Sequence, residues 1–81
     1  MDDSTIMERI NSIAEEEEQL WADAAAEGGL TESERARLHH LQVQLDQAYD
    51  FLNQRRARRD AGLDPDDAQV RPVEVVERYQ Q

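Results

Sequence analysis

Ile6, Ile10, Ile13, Leu20 and Ala24 recur at steps of four and three along the first third of the chain. Glu17 fills the one remaining position of the series. On an α-helix this spacing is a single stripe that faces one neighbour. Trp21 sits on its edge, and Met7 and Ala14 lie further round. A second series, Leu38, Leu41, Leu45, Ala48 with Tyr49, then Leu52, repeats at heptad spacing. Gly28-Gly29 separates the two, a natural stop because glycine tolerates the left-handed cap conformation. Thr31 and Glu34 then have the composition of a capping box, as do Thr5 and Glu8 at the start of the first stripe, where Asp3 and Ser4 are further candidate caps. Gly62 follows Asp60-Ala61 as a stop for the second stripe. The pattern predicts helices over residues 4–27 and 32–61.

A connection this short makes the two helices antiparallel neighbours. The fold class is all-α: a two-helix hairpin over residues 1–62 and a C-terminal arm over residues 63–81. Folding about the glycines sets Leu20 near Leu38, Ile13 near Leu45, Ile10 near Tyr49 and Ile6 near Leu52. The same register carries Arg55 and Arg56 towards Asp2, Asp3 and Glu8. Apolar and charge patterns thus agree on one pairing.

In the arm, Asp64-Pro65-Asp66 reads as an N-cap with proline at the first helical position. Arg71-Pro72 extends the backbone. Beyond it, Val73, Val76 and Tyr79 have helical spacing, while Val73, Val75 and Glu77 alternate as in a strand. The arm is expected to pack on the hairpin or on a second chain, with a loose tail as the alternative. A two-helix layer leaves each stripe half uncovered, so further burial is expected from the arm or from dimerisation into a helical bundle.

Charge narrows the functional classes. Nineteen acidic residues oppose nine basic ones, a net −10 that repels nucleic acid and anionic membrane. The chain has no cysteine, which removes disulfides and thiolate metal sites. No apolar run is long enough to span a membrane, and the acidic start is unlike a signal peptide. A cytoplasmic location is the expectation.

Three features carry candidate chemistry. The run Glu15 to Glu18 sweeps about 300° of a helix, so Glu17 falls in the stripe. It reads as a carboxylate reaching water from a loose seam, as a polar register-setter facing Gln42 or His39, or, least favoured, as a metal or catalytic carboxylate. His40, Gln44, Gln47, Phe51 and Gln54, with Val43, form an uncharged second face on the second helix. That face is either solvated or an interface for a second chain. Arg55, Arg56, Arg58 and Arg59 cluster at the end of the same helix, where cations suit the dipole. They are available to carboxylates of the chain, an acidic partner or phosphate.

Catalytic signatures are not found. Glu-x-x-His, the di-metal helix motif, fails at both histidines, because Ala36 precedes His39 and Arg37 precedes His40 by three. His39 and His40 are adjacent, about 100° apart, and cannot share a metal as an i, i+4 pair does. No phosphate loop, nucleophile elbow or zinc motif occurs. The expectation is therefore no catalytic, metal or cofactor residue.

The opening Asp2-Asp3-Ser4-Thr5-Ile6, the segment Leu45-Asp46-Gln47 through Arg55-Arg56-Ala57, and Asp64-Pro65-Asp66 with Val70-Arg71-Pro72 resemble a family of short actinobacterial proteins. That family is a domain of unknown function, number twenty-six-thirty. The resemblance runs nearly end to end and implies that the arm belongs to the domain; it implies no activity.

The sequence reads as a small acidic, non-catalytic protein–protein interaction module, an adaptor or regulator that self-associates, with a dimer favoured. Interface candidates are Ile6, Ile10, Ile13, Leu20, Trp21, Leu38, Leu41, Leu45, Tyr49, Phe51 and Leu52. A nucleic-acid-associated factor using Arg55 to Arg59 is the alternative.

Overall fold

Asp2, one residue ahead of the expected caps, starts the first helix in the computed structural model, which describes residues 2–78. Its carboxylate accepts from the Thr5 backbone N–H at 2.8 Å, so the Thr5–Glu8 box is not used. Helix α1 runs Asp3–Glu27 and ends where Gly28 turns left-handed at φ 88°. The Gly29 N–H then closes back onto the Ala24 carbonyl at 2.7 Å.

Helix α2, Glu32–Asp60, opens with the predicted capping box. Glu34 N–H donates to Thr31 Oγ1 at 3.1 Å, and Thr31 N–H donates to Glu34 Oε1 at 2.9 Å. Gly62, at φ 76°, ends it. There Leu63 N–H bonds the Arg58 carbonyl and Gly62 N–H bonds that of Arg59, which satisfies two otherwise orphaned acceptors.

The two helices pack antiparallel around Ile6, Ile10 and Leu52, with Leu45, Ala48 and Phe51 closing on them. Ile13, Leu38 and Leu41 are buried further along the seam, and Leu20 is half-buried. Tyr49 departs from expectation. Ala48 packs against the cluster of Ile6, Ile10 and Leu52, whereas Tyr49 stays 46% exposed. The 38-41-45-48-52 series steps by three and four, and Tyr49 falls one residue past it.

The arm folds back on α2. Asp64 caps a single 3-10 turn, Pro65–Asp67, by accepting from Asp66 N–H at 2.9 Å. After an extended link, α3 spans Val73–Arg78, so the valines follow helical rather than strand spacing. Tyr79 lies outside the described residues. Ala68 and Val76 are buried, and Val73 and Val76 sit against Val43, Asp46 and Gln47.

The uncharged face of α2 is therefore covered in part by the chain's own arm, at Gln47 and Gln54. Gln54 Nε2 donates to the Gln69 carbonyl at 2.7 Å, and Gln47 Nε2 to that of Arg71 at 3.3 Å. Amide side chains suit this role, because they satisfy the carbonyls of an extended strap without bringing charge beneath it. Arg71 completes the attachment with a two-point ion pair to Asp50, at 2.9 Å from Nε and 2.6 Å through the second nitrogen.

Candidate interaction surface

Arg55 occupies the next inward position after Leu52, and its residue surface is only 5% exposed. Its guanidinium gathers three parts of the chain. Nε donates to Asp3 at 2.7 Å, and one terminal nitrogen donates to Asp66 at 2.9 Å and to the Pro65 carbonyl at 3.2 Å. Arg59 binds the other Asp3 oxygen at 2.9 Å. Arg58 Nε donates to the Asp64 carbonyl at 2.6 Å, with Asp67 3.5 Å from its other end.

The hydrogen bond from Arg55, then that from Arg59, holds the Asp3 carboxyl below its ordinary range. The same carboxylates, Asp3 first and then Asp66, stabilise the Arg55 cation. Asp2 is lowered chiefly by the backbone N–H of Thr5. Arg56 does not join this cluster. It is exposed and makes no ion pair among the described residues, although the sequence register carried it towards Asp2, Asp3 and Glu8. One residue is 100° of helix, so Arg55 and Arg56 cannot both face the N-terminus.

Glu17 is half-buried, and its Oε1 is buried without a hydrogen-bond donor among the described residues. Gln42 and His39 do not supply one. Its neighbour Glu16 instead pairs with Arg37.

That pair identifies one edge of the hairpin. Residues just before an inward position lie there: Arg9, Glu16, Arg37, Gln44, Phe51 and Arg58. The arm overhangs this edge, and Val70 closes a groove of about 210 Å³ with Ile6, Arg9, Gln44 and Phe51.

Residues just after an inward position form the opposite edge. On α1 these are Met7, Ala14 and Trp21; on α2 they are Arg35, Gln42, Tyr49 and Arg56. No described arm segment packs there. Trp21 is 53% exposed and shares a shallow depression with Arg35 beside the Gly28-Gly29 turn. Met7 and Tyr49 are also among the exposed large side chains. Arg35 and Arg56 make no ion pair among the described residues. This open face combines an apolar row with two arginines that make no ion pair among the described residues; Arg9, also without one there, lies on the other edge.

The sequence-derived interface candidates thus divide. Ile6, Ile10, Ile13, Leu38, Leu41 and Leu52 are buried within the hairpin, with Leu20, Leu45 and Phe51 half-buried beside them. Trp21 and Tyr49 alone remain open. Arg35 and Met7 were missed by sequence reasoning, though their seven-residue spacing from Gln42 and Ala14 places them on this face.

These features define an antiparallel helical hairpin strapped by its own C-terminal arm, with one long face uncovered among the described residues. The chain belongs to the family described as protein of unknown function DUF2630, whose model matches residues 2–81. Its relatives include uncharacterised proteins of Mycobacterium bovis and of two Mycobacterium tuberculosis strains. Each is 42% identical over 78 residues, covering 95% of this chain and 88% of the relative. No solved structure matches.

Proposed function

We propose that the protein is a small non-catalytic interaction module of the cytoplasm, which self-associates through its open face. The observation that carries this reading is the coincidence of Met7, Trp21 and Tyr49 on the edge that no described arm segment covers. Exposed apolar side chains scattered singly need no explanation, whereas a row of them rimmed by charge marks a contact surface. Aromatic residues and arginine are the side chains that anchor protein interfaces. Arg55, Arg58 and Arg59 hold carboxylates and carbonyls of the chain itself, which favours this role over nucleic-acid binding.

The test is the double variant Trp21→Ala with Tyr49→Glu. Self-association weakens at least tenfold while the helical circular dichroism stays native. Unchanged association in a folded variant would overturn the reading.

A further inference from the structure

Granted the self-association proposed above, on which this inference rests, the open face also constrains how a second copy lies on it. The molecule is a slab of 51 × 26 × 15 Å. A stable interface needs about 800 Å² from each partner, which the broad side of such a slab supplies and one end does not. The ion pairs Asp3–Arg55 and Glu16–Arg37 fix the register of the hairpin. In that register Met7 is level with Tyr49, Ala14 with Gln42, and Trp21 with Arg35.

Two-fold symmetry allows two ways of laying such faces together. With the turns at opposite ends, α1 lies on α1 and α2 on α2. With the turns at the same end, α1 of each copy lies on α2 of the other. The helices differ sharply in charge. Helix α1 carries eight carboxylates and one arginine, a net −7, while α2 carries five carboxylates and six arginines, a net +1. Setting α1 against α1 opposes two strongly acidic helices along their length, and like-charge juxtaposition discriminates against a wrong pairing.

We infer that two copies pair with their Gly28-Gly29 turns at the same end, α1 of each over α2 of the other, in an up-down four-helix arrangement. Trp21 then meets Arg35 of the partner subunit, a cation over an aromatic face. Met7 meets Tyr49 of the partner subunit, a thioether against a ring. Arg56 reaches towards the partner subunit's acidic N-terminal end. Arg35 and Arg56 and the acidic excess of α1 thereby explain one another, on a chain whose net −10 otherwise opposes self-association.

The absence of native cysteine makes the test direct. Spin labels on Ala26→Cys, and separately on Glu27→Cys, sit on exposed positions beside the turn. At a concentration that gives a two-chain mass, turns at the same end hold paired labels within about 30 Å. Turns at opposite ends separate them beyond about 35 Å, from the helical rise alone. The short distance in both variants is the expected result. A two-chain mass with the long distance overturns this arrangement and leaves self-association standing, whereas a one-chain mass overturns both.

Discussion

Arg55 Nε lies 2.7 Å from Asp3 Oδ1 although 52 residues separate them, and the same guanidinium holds the arm through Asp66 and Pro65. One buried cation therefore ties the N-terminus, the end of α2 and the start of the arm. Removing it leaves partners unpaired in three segments, a far larger loss than removing an exposed charge. Arg55→Ala lowers the thermal midpoint by about 10 °C, while Arg56→Ala stays within about 2 °C of the parent. Differential scanning calorimetry on the two variants makes the comparison.

Acid should release the same tie. The Asp3 carboxyl is lowered by Arg55 and Arg59, so its contribution is complete above the unfolded carboxylate value, 3.8, and is lost as pH falls through the lower folded value. Asp2 acts in the same direction through its cap on Thr5. Arg55 is raised, so its contribution is complete below its unfolded value and disappears only above the still higher folded one, in strong base. The contribution of these groups is thus level from about pH 5 to 8 and declines below about pH 4, and Asp3→Asn flattens that decline. Urea titrations at stepped pH measure it.

The core and the open face respond differently. Leu52 is 1% exposed at the centre of the cluster with Ile6 and Ile10. Leu52→Ala costs about 2–5 kcal/mol by lost transfer energy and the cavity left behind. Tyr49→Ala, three residues away, leaves the monomer's stability within about 0.5 kcal/mol and weakens association. Chemical denaturation and a dilution series on each variant separate the two effects.

The arm depends on Asp50, which accepts twice from Arg71 and once from Gln54. Asp50→Ala removes these acceptors, and amide exchange across residues 65–76 accelerates roughly 10–100-fold while the centre of α2 keeps its protection. Hydrogen-exchange mass spectrometry resolves the two segments.

The helices, their turn and the pairing of Ile6 with Leu52 were legible in the sequence, because the apolar period, the Thr31–Glu34 box and the glycine stops agreed; the cap of α1, at Asp2, fell one residue earlier than expected. The choice of Ala48 over Tyr49 was not. An aromatic side chain draws attention by its size, while strict three-four spacing selects the smaller neighbour. The approach of Arg55 to Asp3 was legible in the register, but its burial and its bonds to Asp66 and Pro65 were not. Arg55 continues the apolar series, but a charged residue in that series reads as its end rather than as a buried member awaiting carboxylates from distant segments.

The uncharged face of α2 was visible as a pattern, yet its cover could not be chosen. Glutamines that bond the carbonyls of a strap look the same in sequence as glutamines that bond water. The open face was half visible, through Trp21 and Tyr49; heptad spacing sets Met7, Arg35 and Arg56 beside them, but the side taken by the arm is what singles that face out.

Self-association through that face is the central claim, and the mass in solution tests it most directly. Size-exclusion chromatography with light scattering over a concentration series should show a mass approaching twice the 9.4 kDa of one chain, falling towards one chain on dilution. A mass of one chain at every concentration, in protein with native helical content, would contradict it.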